Sequence, residues 1–361
     1  MELNTLLDEL TAKDGSDLHL VAGEPPVFRV AGTLIRRDSP VLDAAALEAL
    51  LLPALPDDLR AMLTQQRQDV EMNLRRDAAS FRLHVFHERG RLAGAVRIVP
   101  RRVPAVDELD FSPEAAGTLT KLTAITRGLI VVTGASGSGK TTTCAGLIET
   151  INRTRAERIV TIEDPIEYEF EAKKSLITQR AVGQDVTDFP TGLRAALRED
   201  PDVVLVGEIR DLETLSLALT LAETGHLVFT TLNVGSASSA VKRLVDAFPP
   251  SQQEMARGLI ARNLAAVIAQ RLLPRIQSAG RVPANEILVA LPRVRQMIAD
   301  GHADLSVAIE AGRSAGLQTM DDAIVRLYER GTITFDLAWS HLEDKERIQR
   351  ANATPPPPPP A

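Results

Sequence analysis

The sequence predicts an α/β protein of two domains, the second of which binds a phosphate group. Its 361 residues are more than a single small core needs. From about residue 118, apolar runs of strand length alternate with amphipathic helical segments, which is typical of a mostly parallel sheet with helices on its faces. One of these predicted strands, residues 129–132, leads into a glycine-rich turn that a helix follows.

The glycine-rich turn has the pattern of a phosphate-binding loop, G-x-x-x-x-G-K-T. Glycines allow backbone N–H groups to converge on an anion, and the helix N-terminus adds partial positive charge. A lysine at this position reaches the β- and γ-phosphates, and the next threonine offers its hydroxyl to Mg²⁺. We therefore expect ATP and Mg²⁺ to bind at Gly134, Ala135, Ser136, Gly137, Ser138, Gly139, Lys140, Thr141 and Thr142.

Composition excludes several other classes of protein. Aromatic residues make up 3% of the chain and the formal net charge is -7, which disfavours a nucleic acid partner. The single cysteine, Cys144, excludes a disulfide framework and indicates a reducing compartment. No apolar run has membrane-spanning length, and the N-terminus lacks a signal peptide core. We expect a cytoplasmic protein that does not insert into a membrane.

The predicted domain order follows from patterning and prolines. Residues 1–100 alternate short strands with helices, as at Ser80–Phe86, where polar and apolar residues alternate. Three prolines between Pro100 and Pro113 indicate a linker at 101–117. The phosphate-binding domain follows at 118–300, helices at 301–346, and a disordered proline-rich tail at 347–361. Eight arginines lie close together before and at the start of the linker: Arg75, Arg76, Arg82, Arg89, Arg91, Arg97, Arg101 and Arg102. A position on a solvated strand edge explains any one of them, but together they suggest a set of side chains that can face phosphate.

Two predicted strands end in carboxylates. Residues 159–162 lead into Glu163, and residues 203–206 lead through a glycine into Glu208. Carboxyl ends of strands in open α/β sheets face the ligand crevice. Glu163 is therefore placed to orient or deprotonate a water molecule, and Glu208 to hold Mg²⁺ or its water shell.

A further strand, residues 227–232, lies between His226 and Asn233. A strand tip beside the nucleotide is suited to sensing the γ-phosphate. For His226 both a helix-terminal position and a nucleotide-linked catalytic role remain open, and we include it among the candidate catalytic residues.

Taken together, these segments resemble the secretion ATPases, and within them the PilT-like motors that retract type IV pili. The resemblance extends from residues 15–20 to residues 316–321 and includes the phosphate-binding loop, both acidic segments and residues 222–229, which look like the family's histidine box. It implies a PAS-like N-terminal domain, a RecA-like motor domain with C-terminal helices, and a homo-hexameric ring with ATP between the domains. It also implies a position at the inner membrane through a pilus platform protein.

The resemblance also assigns roles to individual residues. Glu163 becomes the general base, Glu208 a Mg²⁺ residue, and Arg82 and Arg97 the arginines that close onto the phosphates. Either Arg89 or Arg91 corresponds to a third arginine. The implied function is an ATP-hydrolysing motor for pilus retraction and twitching motility.

Two departures from the family pattern keep alternatives open. Asn233 replaces the second histidine of the histidine box, and Ala299 replaces the last arginine of a motif tied to retraction, in which Arg295 is kept. The alternatives are a VirB11-like ATPase of secretion or conjugation, and an accessory ring paralogue that hydrolyses ATP weakly. Length and the single cysteine disfavour the pilus-assembly and type II secretion ATPases, which carry an extra N-terminal domain and usually four zinc-binding cysteines.

Overall fold

The computed structural model describes residues 2–13, 15–30, 32–76, 79–99, 102–276 and 280–352. The chain divides into two compact units, Met1–Arg102 and Val103–Ala361. Each unit has a hydrophobic core of its own.

The N-terminal unit is a six-stranded antiparallel sheet with the strand order β3-β2-β1-β6-β5-β4. Its strands are β1 (Gly15–Leu20), β2 (Val27–Val30), β3 (Thr33–Arg36), β4 (Val70–Arg75), β5 (Ser80–Glu88) and β6 (Arg91–Val99). Its helices are α1 (Leu3–Ala12), α2 (Ala44–Leu51) and α3 (Asp57–Gln65).

Alternation decides which face of this sheet is buried. Phe81, Leu83 and Val85 of β5 are buried, and the residues between them lie on the opposite, more accessible face. The buried face packs in one cluster with the leucines of α1, which recur at helical spacing. The accessible face therefore carries charged residues, among them Arg82.

The C-terminal unit contains a seven-stranded sheet with the order β13-β12-β7-β11-β10-β8-β9. Its strands are β7 (Gly128–Thr133), β8 (Arg158–Glu163), β9 (Leu176–Ala181), β10 (Val203–Val206), β11 (Leu227–Leu232), β12 (Leu264–Pro274) and β13 (Arg281–Val289). Its helices are α4 (Pro113–Thr123), α5 (Lys140–Thr154), α6 (Phe189–Ala196), α7 (Leu212–Glu223), α8 (Ala237–Asp246), α9 (Gln253–Asn263), α10 (Pro292–Ala299), α11 (Ser306–Ala311), α12 (Met320–Glu329), α13 (Phe335–His341) and α14 (Glu346–Asn352).

All pairs in this sheet are parallel except β12–β13. Strands β7, β10 and β11 are buried along their whole length, because helices cover both faces of the sheet. The carboxyl ends of the parallel strands lie at one edge, which is where the phosphate-binding loop follows β7.

Helices lie at two of the predicted boundaries. Helix α4 begins at Pro113, inside the predicted linker, and Ser112 caps it. Helix α14 covers residues 347–352 of the predicted disordered tail. Arg101 and the prolines at 355–360 lie outside the described residues. Among the residues that the structure describes, no helix is long and apolar enough to cross a lipid bilayer.

Candidate nucleotide-binding and active site

The phosphate-binding loop connects β7 to α5, as the sequence predicts. Gly134, Gly137 and Gly139 have φ values of 151°, 74° and 86°. L-residues with a Cβ rarely adopt this region, so the path of the loop depends on glycine. At Gly134 a Cβ would also lie 2.4 Å from the carbonyl oxygen of Gln270. The loop thus has the backbone that anion binding requires.

Lys140 is the first residue of α5, and its ammonium group is held by the loop itself. Its Nζ donates to the carbonyl oxygens of Gly134 and Ala135, both at 2.9 Å. Burial lowers the pKa of Lys140, and the charge of Glu208 acts in the opposite direction. The ammonium therefore lies within the loop, where a phosphate would meet it.

Glu163 ends β8 and is 5% exposed. Its Oε1 accepts hydrogen bonds from Oγ1 of Thr161 at 2.7 Å and from Nε2 of Gln179 at 3.2 Å. Burial raises the pKa of Glu163 to about 7, although these two hydrogen bonds oppose the shift. A carboxyl group with such a pKa exchanges a proton near neutral pH, as a general base must.

Glu208 follows β10, next to the end of β8. The parallel register pairs Val206 with Ile162, so Glu163 and Glu208 come from neighbouring strand ends. Arg210 donates to Glu208 and, at 3.0 Å, to Oδ2 of Asp164. The two acidic segments therefore meet at the edge of the sheet that carries the loop.

Comparison with known proteins shows the family of the chain. The family model for the type II/IV secretion system protein matches residues 1–343. The chain belongs to this family. It is 41% identical to the type IV pilus retraction ATPase PilT of Pseudomonas aeruginosa over 92% of this chain and 96% of the relative. It is 39% identical to a twitching motility protein of Neisseria gonorrhoeae over 90% of this chain and 86% of the relative.

A solved structure of the same family has the same fold. The crystal structure of the pilus retraction motor PilT with bound ADP superposes with a TM-score of 0.88 at 39% identity, covering 97% of this chain and 99% of that one. The predicted resemblance, the α/β fold class and the prediction of a nucleotide-using ATPase are confirmed.

The two ends of the histidine-box strand lie at opposite edges of the sheet. The register of β11 against β7 pairs Leu227 with Gly128 and Leu232 with Thr133. His226 therefore lies at the amino edge, roughly 20 Å along the strand from the loop. Its Nδ1 is 2.9 Å from the carbonyl oxygen of Leu221, at the end of α7. Within one subunit the structure thus does not bring His226 to the candidate site, contrary to its inclusion among the catalytic residues.

Asn233 occupies the end of β11 that faces the site. It follows Leu232, which pairs with Thr133, the residue that precedes the loop. Oγ1 of Thr133 donates to the carbonyl oxygen of Val234 at 2.7 Å. The Asn233 side chain is exposed. The residue that departs from the family's histidine box is therefore the one at the nucleotide edge.

The predicted arginines lie in the N-terminal unit. Arg82 and Arg97 are directly opposite each other on β5 and β6 and share the accessible face of the sheet. Arg97 Nε donates to Oδ1 of Asp17 at 2.8 Å. Burial alone would raise the pKa of Asp17, but hydrogen bonds from Ser16 and Arg97 outweigh it and lower the pKa. Asp17 thus holds the Arg97 guanidinium in place.

The candidates for the third arginine lie at a hairpin. Arg89 is in the two-residue turn between β5 and β6 with a φ of 51°, and Arg91 begins β6. Both side chains are exposed.

Arg295 of the retraction motif stabilises a helix end. It lies on α10, and its NH1 donates to the carbonyl oxygens of Ala261 and Arg262 at 2.5 and 2.7 Å. These carbonyls belong to the last turn of α9, where a cation is favourable. Burial lowers the pKa of Arg295. A cavity of about 750 Å³ opens beside it, at the amino edge of the sheet.

Cys144 lies on α5, one turn beyond Lys140, and is fully enclosed. Burial raises the pKa of its thiol to about 12, with the charge of Glu163 acting in the same direction. The thiol is therefore protonated near neutral pH and contributes to packing.

Sequence reasoning missed two contacts of the loop and its helix. The hydroxyl oxygens of Thr142 and Tyr168 are 2.9 Å apart. Gln270 of β12 hydrogen-bonds the loop from below, through Nε2 and the Ser138 carbonyl oxygen at 2.6 Å. The available signal for Gln270 is that a polar residue directly follows an apolar run, Leu264–Ala269.

Proposed function

We propose that this chain is the ATP-hydrolysing subunit of a homo-hexameric motor that powers type IV pilus retraction. The observation that carries the proposal is the buried carboxyl group of Glu163, with a pKa of about 7, at the sheet edge that holds the Lys140 loop. Binding alone needs only the loop. A positioned base is what hydrolysis needs in addition.

Within the site, the loop amides and Lys140 bind the β- and γ-phosphates. Glu163 accepts a proton from the attacking water, and the hydrogen bonds from Thr161 and Gln179 keep its carboxylate oriented. Arg82 and Arg97 supply positive charge to the transition state. Arginines in such roles contribute ~10³–10⁵ in rate.

The donor set fits Mg²⁺ bound together with a nucleotide. Thr141 supplies a hydroxyl and Glu208 a carboxylate. In the described part of the chain, no three His, Cys, Asp or Glu side chains gather into a metal site. Mg²⁺ in phosphoryl-transfer sites takes one or two protein oxygens and completes its shell with phosphate and water, so no such cluster is required. The ion would neutralise charge on the phosphates.

We infer that the motor works in the cytoplasm, at the inner membrane, on a pilus platform protein. Closure of the domains around ATP and reopening after release would supply the motion. The support for a pilus as the load is the similarity to proteins whose names are pilus retraction ATPase and twitching motility protein.

The ATPase activity is tested with two variants of the purified protein. Lys140→Ala should abolish nucleotide binding, whereas Glu163→Gln should retain it and lower kcat by ~10²–10⁴. Wild-type kcat should rise as the pH increases through about 7, because only the carboxylate form of Glu163 accepts a proton. Undiminished turnover in Glu163→Gln would assign the base elsewhere.

The role in the cell is tested by deleting the gene. Loss of a retraction motor leaves cells piliated but unable to twitch. A VirB11-like secretion motor would instead leave twitching intact.

The exposed Asn233 at the nucleotide edge favours one second candidate, a ring paralogue that binds ATP but hydrolyses it weakly. An amide donates a hydrogen bond to phosphate but carries neither a proton nor a charge. Near-zero steady-state turnover with normal ATP binding would support this candidate. Turnover restored by Asn233→His would locate the cause at this residue.

A further inference from the structure

Buried polar side chains that the proposed mechanism does not use form a hydrogen-bonded cluster beneath the phosphate-binding loop. Thr143 of α5, Gln270 of β12 and Asn285 of β13 are each 1–3% exposed. Gln270 and Asn285 lie directly opposite each other in the antiparallel pair. Such groups are costly to bury unless they are paired, and here each has a partner.

Both polar atoms of the Gln270 side-chain amide are hydrogen-bonded. Its Nε2 donates to the Ser138 carbonyl oxygen at 2.6 Å, and its Oε1 accepts from Oγ1 of Thr143 at 2.8 Å and from Nδ2 of Asn285 at 2.9 Å. The Ser138 carbonyl can only accept, so the amide nitrogen must face it. Nδ2 of Asn285 donates to Oε1 of Gln270, so this oxygen faces Asn285 while the nitrogen faces Ser138. The orientation of Gln270 is therefore determined by its neighbours.

The loop also packs directly against Gln270. A Cβ at Gly139 would lie 2.7 Å from Nε2 of Gln270. Glycine at this position lets the backbone approach the amide closely. The contact is therefore steric as well as polar.

The hydrogen bond to Ser138 has a consequence for the next amide. In a trans peptide the C=O and the following N–H point in opposite directions. Because the Ser138 carbonyl is hydrogen-bonded to Gln270, the Gly139 N–H points away from the Gln270 side chain. That amide belongs to the set that a phosphate would bind.

We propose that Gln270 is a positioning residue for the phosphate-binding loop, and that Asn285 fixes its orientation. Gln270 acts through the backbone of residues 138 and 139 and does not touch the nucleotide. The proposal rests on the proposed function, because the ligand of the loop is the ATP phosphate.

The same hydrogen bonds continue into the C-terminal helices. Nε2 of Gln318 donates to the Asn285 carbonyl oxygen at 2.7 Å, and Arg326 of α12 donates to Oε1 of Gln318. The position of the loop is thereby connected to α12.

Two neutral, nearly isosteric variants of the full chain test the proposal: Gln270→Met and Asn285→Leu. Gln270→Met removes the hydrogen bonds to the Ser138 carbonyl and the Thr143 hydroxyl, and Asn285→Leu removes one of the two hydrogen bonds to Oε1 of Gln270. Both changes loosen the support of the loop. We expect each to weaken binding of a fluorescent N-methylanthraniloyl-ADP about tenfold and to raise the KM for ATP by a similar factor, with kcat changed less than about threefold. A tenfold change in the dissociation constant corresponds to ~1.4 kcal/mol of binding free energy.

The double variant separates positioning from independent damage. Because both residues act through one amide, Gln270→Met/Asn285→Leu should bind the ADP analogue no more than about threefold more weakly than either single variant. Independent effects would multiply to about a hundredfold and overturn the proposed role of Asn285. Gln252→Met, at an exposed position of the same unit, is the matched control and should bind like the wild type.

A purely structural role would lower Tm without changing the dissociation constant, and that result would overturn the proposal. If Gln270→Met does not fold, Thr143→Val decides, since it removes one hydrogen bond to Gln270 at nearly constant volume. Unchanged analogue binding in a folded Thr143→Val would count against the proposal. Analogue binding needs no turnover, so a wild-type chain that binds but does not hydrolyse ATP contradicts the proposed function and leaves this inference testable.

Discussion

At the scale of single residues, burial of Glu163 makes its charged form costly, and the same burial gives the carboxyl group a pKa suited to a general base. A carboxyl group that is 5% exposed prefers its neutral form, and two hydrogen bonds moderate that preference. The resulting pKa of about 7 places the residue where it can accept a proton and later release it. The same shift links the stability of the fold to pH.

Glu163→Gln should change this link in a defined direction. The folded pKa of Glu163 is raised above its ordinary value of 4.5, so wild-type stability decreases as the pH rises from about 4.5 to about 7. Glutamine has no charge to bury. The stability of the variant relative to wild type should therefore increase across this interval, by on the order of 3 kcal/mol.

Tm measured without nucleotide at pH 5 and pH 8 checks this prediction. Groups that do not interact with residue 163 titrate equally in both proteins, so their contributions cancel in the difference. A difference that does not change with pH would show that Glu163 has an ordinary pKa in the folded chain.

Single residues also show how much of the site can be predicted from the sequence. Glu163 and Glu208 are predictable because the first ends an apolar strand and the second follows one after a single glycine, which are local signals. The His226 prediction did not use strand direction: a residue before a parallel strand lies at the opposite edge from one after it. Gln270 escapes prediction because its partner Ser138 is 132 residues away, and no local pattern encodes that distance.

At the scale of elements, the connection from β7 to α5 depends on strict steric limits. Gly134 combines a φ of 151° with a backbone oxygen 2.4 Å from the place of a Cβ. This oxygen belongs to the backbone of β12, which is paired on both sides within the sheet and cannot shift as a flexible side chain can. The start of the loop is therefore fixed by the sheet below it.

Gly134→Ala should consequently abolish nucleotide binding, because the loop must move to accommodate the new methyl group. Gly225→Ala is the matched control: its φ is 112°, but no atom lies within 4 Å of the place that the new methyl group would take. It should lose only about 1–3 kcal/mol to backbone strain and keep its affinity. Fluorescent ADP binding and Tm measured on both variants test this, and normal affinity in Gly134→Ala would contradict it.

At the scale of the whole molecule, two separately packed units carry different parts of the proposed chemistry. The loop and both glutamates lie in the C-terminal unit, whereas Arg82 and Arg97 lie on the accessible sheet face of the N-terminal unit. The order of these units was predictable from the sequence. The hydrogen bond from Arg97 to Asp17 was not, because it joins strands 80 residues apart.

Arg97→Ala should separate binding from hydrolysis. We expect nucleotide affinity to stay near wild type, since the loop is intact, and kcat to fall by ~10³ or more. Arg36→Ala is the control, because Arg36 is an exposed arginine on a strand of the same sheet and pairs with Glu24. Equal losses of turnover in the two variants would indicate damage to the N-terminal unit rather than a role for Arg97 in the transition state.

The enclosed thiol of Cys144 makes this chain a convenient background for attaching probes. It is the only cysteine, and in its buried, protonated state it does not compete for maleimide reagents. A cysteine introduced at an exposed site such as Asn233 would thus be labelled selectively in the otherwise unaltered protein. Fluorophores placed in this way can follow the nucleotide edge during turnover, without first removing a native residue from the helix that carries Lys140.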